Sequence, residues 1–133
     1  MSSSNYDDNA KVYYRSLVNT LILYSMNVAG LDRLAGPTFN PLTELETELD
    51  FAFTPVIFET VFRNQFIEAN MKDKLLAFKD DVNTIPNEIW GYPFVDCHPK
   101  WIHLHNSADR LLTMMGITTR TYSEYYTVHV IKS

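Results

Sequence analysis

The stretch from His98 to Gly116, HPKWIHLHNSADRLLTMMG, constrains the fold more than any other part of this chain. Trp101, Leu104, Ala108, Leu111, Leu112 and Met115 recur at the i, i+3/i+4, i+7 spacing that makes one side of an α-helix apolar. Pro99 suits the first helical turn, where a missing N–H costs nothing. Gly116 can take the left-handed conformation that closes a helix. Such a stripe has to be buried, so the remaining chain must supply a matching surface.

That surface is available. The chain has 133 residues, 46% of them hydrophobic, with eight Tyr and eight Phe, which predicts a single globular domain with a sizeable core. One cysteine, Cys97, rules out an internal disulfide and fits a reducing compartment. The opening MSSSNYDD has neither a basic nor an apolar region, so no secretion signal is read there. The most apolar run, Leu17 to Ala29, is interrupted by Asn19, Thr20, Ser25 and Asn27 and is too short to span a bilayer. These features predict a soluble, cytoplasmic protein with no membrane partner. A net charge of −5 repels phosphate backbones and disfavours direct nucleic-acid binding. The same charge aids solubility and favours basic protein partners.

Residues 1–6 read as a disordered start. Val12, Tyr13, Leu17, Leu21, Tyr24, Val28 and Leu31 predict one long helix from Asp7 or Asp8 to about Ala35, stopped by Gly36-Pro37, with Gly30 as a possible break. Asn40-Pro41 predicts a capped second helix with Leu42, Leu45, Leu49, Ala52 and Phe53 on one side. Pro55 predicts a break, followed by a helix over Val56 to Ala69 with an aromatic side. A short amphipathic helix over residues 71–83 and a turn at Ile85–Trp90 lead to the His98 segment. In residues 117–133 the alternation at Tyr126–Ile131 resembles a strand without a partner, so Tyr122–Tyr126 is read as helix and the end left open. The predicted fold is all-α: one compact bundle of about five helices over residues 1–133, with an irregular or short extended C-terminal tail.

Glu44, Glu46, Glu48 and Asp50 are the densest charge feature, four carboxylates in seven residues without a Lys or Arg. They read as a solvated helix face or as an acidic surface for a basic partner. Paired catalytic carboxylates fit less well, since nothing nearby supplies a nucleophile or pocket. Asp96, Cys97, His98, His103 and His105 include metal-binding types but lack the paired C-x2-C or H-x3-H spacing of a zinc site. Cys97 beside a histidine in sequence is not the spatial pair that thiol catalysis needs. Phosphate-binding glycine loops and the G-x-S-x-G elbow are absent. No catalytic residue, metal or cofactor is expected.

The segment Phe78–Gly116 carries an Asp-rich helix end, the turn Ile85-Pro86-x-x-x-Trp90, the helix start His98-Pro99-x-Trp101, and Ala108-x-x-Leu111-Leu112 closing at Gly116. In this it resembles small bacterial immunity proteins of contact-dependent growth inhibition and related polymorphic toxin systems. Where such a protein would carry an Arg soon after the Trp, this chain has His103 and His105. The resemblance implies a non-enzymatic protein that binds and neutralises a cognate toxin domain, often a nuclease, by stoichiometric association. An acidic helical protein can block the cationic groove of such a toxin. Candidate contacts are Glu44, Glu46, Glu48 and Asp50, a second patch at Asp80 and Asp81, and the aromatics Trp90, Tyr92 and Tyr122. The alternative is a helical adaptor that takes a peptide or helix in an aromatic groove.

Overall fold

Eight helices follow one another in residues 5–122, the part of the chain that the computed structural model describes. They are α1 (Asn5–Asp8), α2 (Ala10–Tyr24), α3 (Val28–Leu34), α4 (Pro41–Ala52), α5 (Pro55–Arg63), α6 (Lys72–Asn83), α7 (Tyr92–Val95) and α8 (Pro99–Met114). Single 3-10 turns at Ala69–Met71 and Asn87–Ile89 join them. There is no β-strand among the described residues, and the fold is all-α as the periodicity predicts. The bundle proper is α2, α4, α5, α6 and α8, each nine residues or longer.

At the centre lies α2, against which α4, α5 and α8 all pack. Ten of its fifteen residues are buried, including the consecutive run Leu21, Ile22, Leu23 and Tyr24. Lys11 and Arg15 leave a short exposed stripe at its start, but its C-terminal half is enclosed, which is why the apolar residues there run together instead of alternating with charges. The α8 stripe seats Trp101, Leu104, Ala108, Leu111 and Leu112 in the same core.

Three predicted boundaries are corrected. The first long helix divides at Ser25–Asn27 into α2 and α3. Asn27 caps α3 by accepting the Gly30 N–H at 2.9 Å, and the Val28 N–H donates to Asp96 at 2.9 Å. These oxygens satisfy N–H groups that an uninterrupted helix would have used internally. Gly30 therefore sits inside α3 and does not break it. Residues 5 and 6, read as part of a disordered start, belong to the helical turn Asn5–Asp8, in which Asp7 accepts bonds from Arg63 and Asn64. Residues 1–4 lie outside the described residues.

Helix α5 follows the predicted break, starting at Pro55, one residue before the expected Val56, yet it ends at Arg63, well before Ala69. The Gln65 N–H bonds to Phe62 O at 3.0 Å and the Phe66 N–H to Val61 O at 3.2 Å, with Gln65 at φ +62°. This is the Schellman closure, and α8 ends identically through Gly116 at φ +81°. Phe66 is thus off the helix, stacked on Tyr14 with ring centroids 5.5 Å apart.

Beyond α8, Tyr122 is non-helical and buried, its ring 5.6 Å from that of Phe39. The rest of the predicted Tyr122–Tyr126 helix, and the open end of the tail, lie outside the described residues.

Candidate functional site

The four clustered carboxylates of α4 divide between two faces. Residues 44, 45, 48, 49 and 52 form the inward stripe, and Glu44 and Glu48 are buried with the leucines, at 4% and 0% exposure. This corrects the expectation of one continuous acidic surface. The physical reason is helical spacing: residues 44 and 48 fall on the i, i+4 stripe of Leu45, Leu49 and Ala52, and the Tyr122 hydroxyl meets Glu48 there; Ser16, Asn19 and Thr20 of α2 are buried too. Thr20 Oγ1 donates to Ser16 O at 2.9 Å and to Glu48 O at 3.4 Å, and the Tyr122 hydroxyl donates to the Glu48 carboxylate. A buried carboxylate survives only where hydrogen-bond donors meet it.

Glu46 and Asp50 point outward, four residues apart on one face. They form the mouth of a cleft of about 210 Å³ whose other walls are Asn83, Asn87 and Trp90, with Tyr24 at its base. The indole of Trp90 is held from two directions. Its Nε1–H donates to Leu42 O at 3.0 Å, and its ring lies 4.8 Å from Trp101, whose own Nε1–H donates to Ile89 O at 2.8 Å. The Tyr24 hydroxyl donates to Leu45 O at 2.7 Å. Burial pushes that phenol well above its ordinary value of 10.0, and the negative charges of Glu46, Asp50 and Glu48 push it further in the same direction.

The cleft can hold a cation. Glu46 and Asp50 lie about 6 Å apart along the helix, inside the Debye length at ordinary salt, so an incoming positive group is attracted by both. Neither forms an ion pair among the described residues. Carboxylates, side-chain amides and a fixed indole are the set that receives a Lys or Arg side chain.

The other predicted contacts scatter. Asp80 is exposed near the end of α6. Asp81 meets His103 Nε2 at 3.0 Å and belongs to a different groove, between α6 and α8. Tyr92 is half-buried and packs against the core; burial raises its phenol, with Asp32 adding to the effect. Tyr122, expected as an exposed anchor, is buried. Asn83, Asn87 and Tyr24 were missed as cleft residues. The Asn83–Asn87 turn carried a loop signal, but nothing in it showed that the loop faces α4.

The three clustered histidines do three different jobs. His98 caps α8 by accepting the Lys100 N–H at 3.1 Å. His103 pairs with Asp81. His105 lies with Nδ1 2.8 Å from Tyr24 O and Nε2 2.9 Å from Val95 O. Among the described residues no group of three or more His, Cys, Asp or Glu side chains is placed to hold a metal ion. No helix among them is long and apolar enough to cross a membrane.

Set against protein-family models, curated proteins and solved structures, the chain finds no match.

Proposed function

We propose that this chain is an immunity protein that binds and neutralises a cognate bacterial toxin domain in the cytoplasm, without catalysis or cofactor. The observation that carries the reading is the convergence of Glu46, Asp50 and Trp90, from segments forty residues apart, on one cleft suited to a cationic side chain. A basic residue of the toxin enters between the two carboxylates and against the indole, and the acidic surround speeds the encounter. The resemblance over Phe78–Gly116 supports the toxin as the partner. A nuclease is the natural candidate, because its substrate groove is cationic.

The test is a calorimetric titration of the toxin domain encoded beside this gene, at low and high salt, with Glu46→Lys/Asp50→Lys in parallel. The expected result is a 1:1 complex that weakens as salt rises and loses about 100-fold in affinity on charge reversal, through like-charge juxtaposition at the contact. No complex, or one untouched by the reversal, would overturn the proposal. Tight binding that ignores salt would point instead to an adaptor using an apolar groove.

A further inference from the structure

Helices α6 and α8 run antiparallel along a second groove, away from the acidic cleft. Asp81, in the last turn of α6, meets His103 near the start of α8, whereas Met71, just ahead of α6, shares a pocket with Met114 and Met115 at the far end of α8. Lys74 lies seven residues before Asp81, and Arg110 lies seven after His103. At 1.5 Å per residue along each helix, both stand about 10.5 Å from the Asp81–His103 pair, and both line the groove. Both are exposed, and neither forms an ion pair among the described residues.

Beside these cations the groove is lined by Ala77, Phe78, Leu111 and Met114, with Ser107 among them. Phe78 and Leu111 form the floor, and Met114 stands 49% exposed at its edge. The groove holds about 430 Å³, within the range of small-molecule sites. Two cations beside an apolar floor are a local feature that the overall charge of −5 runs against. The guanidinium offers a planar fork that fits a carboxylate, and the ammonium adds a point charge beside it.

We propose that this groove binds a small amphiphilic monocarboxylate, with its head on Lys74 and Arg110 and its apolar body on Leu111 and Met114, on the side away from Asp81. The charge arrangement carries the choice: two cations without ion-pair partners among the described residues line one groove, with the apolar Leu111 and Met114 beside them. The inference is independent of the toxin reading, since the site shares no residue with the acidic cleft.

The test titrates decanoate into the full chain by calorimetry, with decanol as the uncharged body and Lys74→Gln/Arg110→Gln as the variant. Saturable 1:1 binding of decanoate is expected, at least about tenfold tighter than decanol. The double variant should lose that preference while melting at the wild-type temperature, because both residues are exposed. Chemical-shift changes at the Met114 methyl should saturate with the same constant. Unsaturable binding, or equal affinity in wild type and variant, overturns the proposal. So does binding of an acidic amphipathic peptide with no response to decanoate, which would make the groove a protein-docking surface.

Discussion

Replacing His105 by Ala should destabilise the protein by about 2 kcal/mol. The imidazole joins three elements: its own helix α8, the C-terminal carbonyl of α2 at Tyr24, and the last carbonyl of α7 at Val95. Both carbonyls only accept, so a neutral ring donates to one of them and a doubly protonated ring to both. Net hydrogen bonds contribute about 1 kcal/mol each, somewhat more where the donor is charged. The ring also packs 6.3 Å from Trp101, centroid to centroid, and that contact goes too. In a domain of this size a loss of about 2 kcal/mol lowers Tm by roughly 8 °C. Thermal melts followed by circular dichroism at fixed pH and salt measure it. Two controls isolate the cause. His105→Gln keeps one amide donor and should recover about half the loss. His103→Ala removes a surface pair, with His103 60% exposed, and should cost under about 0.5 kcal/mol. If His105→Ala melts within 2 °C of wild type (about 0.5 kcal/mol on the same scale), or no lower than His103→Ala, the clasp argument is wrong.

Three further outcomes are expected. Stability should fall above about pH 10: the Tyr24 phenol is held protonated in the fold but ionises near its ordinary 10.0 when unfolded, so its contribution is complete below that pH and is lost as pH rises toward the folded value. Tyr24→Phe should remove one proton's worth of that slope, about 1.4 kcal/mol per pH unit, in alkaline denaturant titrations. Asn40→Ala, which deletes the acceptor for the Leu42 and Thr43 N–H groups, should cost about 1 kcal/mol in urea unfolding with an unchanged m-value. Gly116→Ala, in the left-handed cap of α8 with open space around it, should cost about 1 to 2 kcal/mol from backbone conformation alone, read in the same unfolding experiment.

The elements legible in the sequence were those whose ends carry chemical marks. Asn40-Pro41, Pro55, and Pro99 with Gly116 each name a boundary, and the structure places α4, α5 and α8 there. The end of α5 was illegible because Gln65 takes the conformation usually given to Gly or Asn. The α2–α3 break was hidden because Val28 and Leu31 continue the helical spacing across it, and the oxygen that stabilises it, on Asp96, is 68 residues away. Half of the acidic cluster was misjudged because carboxylates were assigned to solvent by type. Glu44 and Glu48 share the helical stripe of Leu45 and Leu49, and the donor that meets Glu48, the Tyr122 hydroxyl, is 74 residues away. The cleft itself depends on Trp90 reaching Leu42, which no local pattern encodes.

The bond from Tyr122 to Glu48 spans 74 residues and has a consequence for how the chain is made. At 5–20 residues per second, a ribosome that has just added Glu48 needs about 4 to 15 s more to add Tyr122. Helices α2, α4 and α5 are complete long before that moment. The α4 carboxylate is therefore made several seconds before the phenol that donates to it. The phenol can close over that carboxylate only after α2, α4 and α5 have all been made.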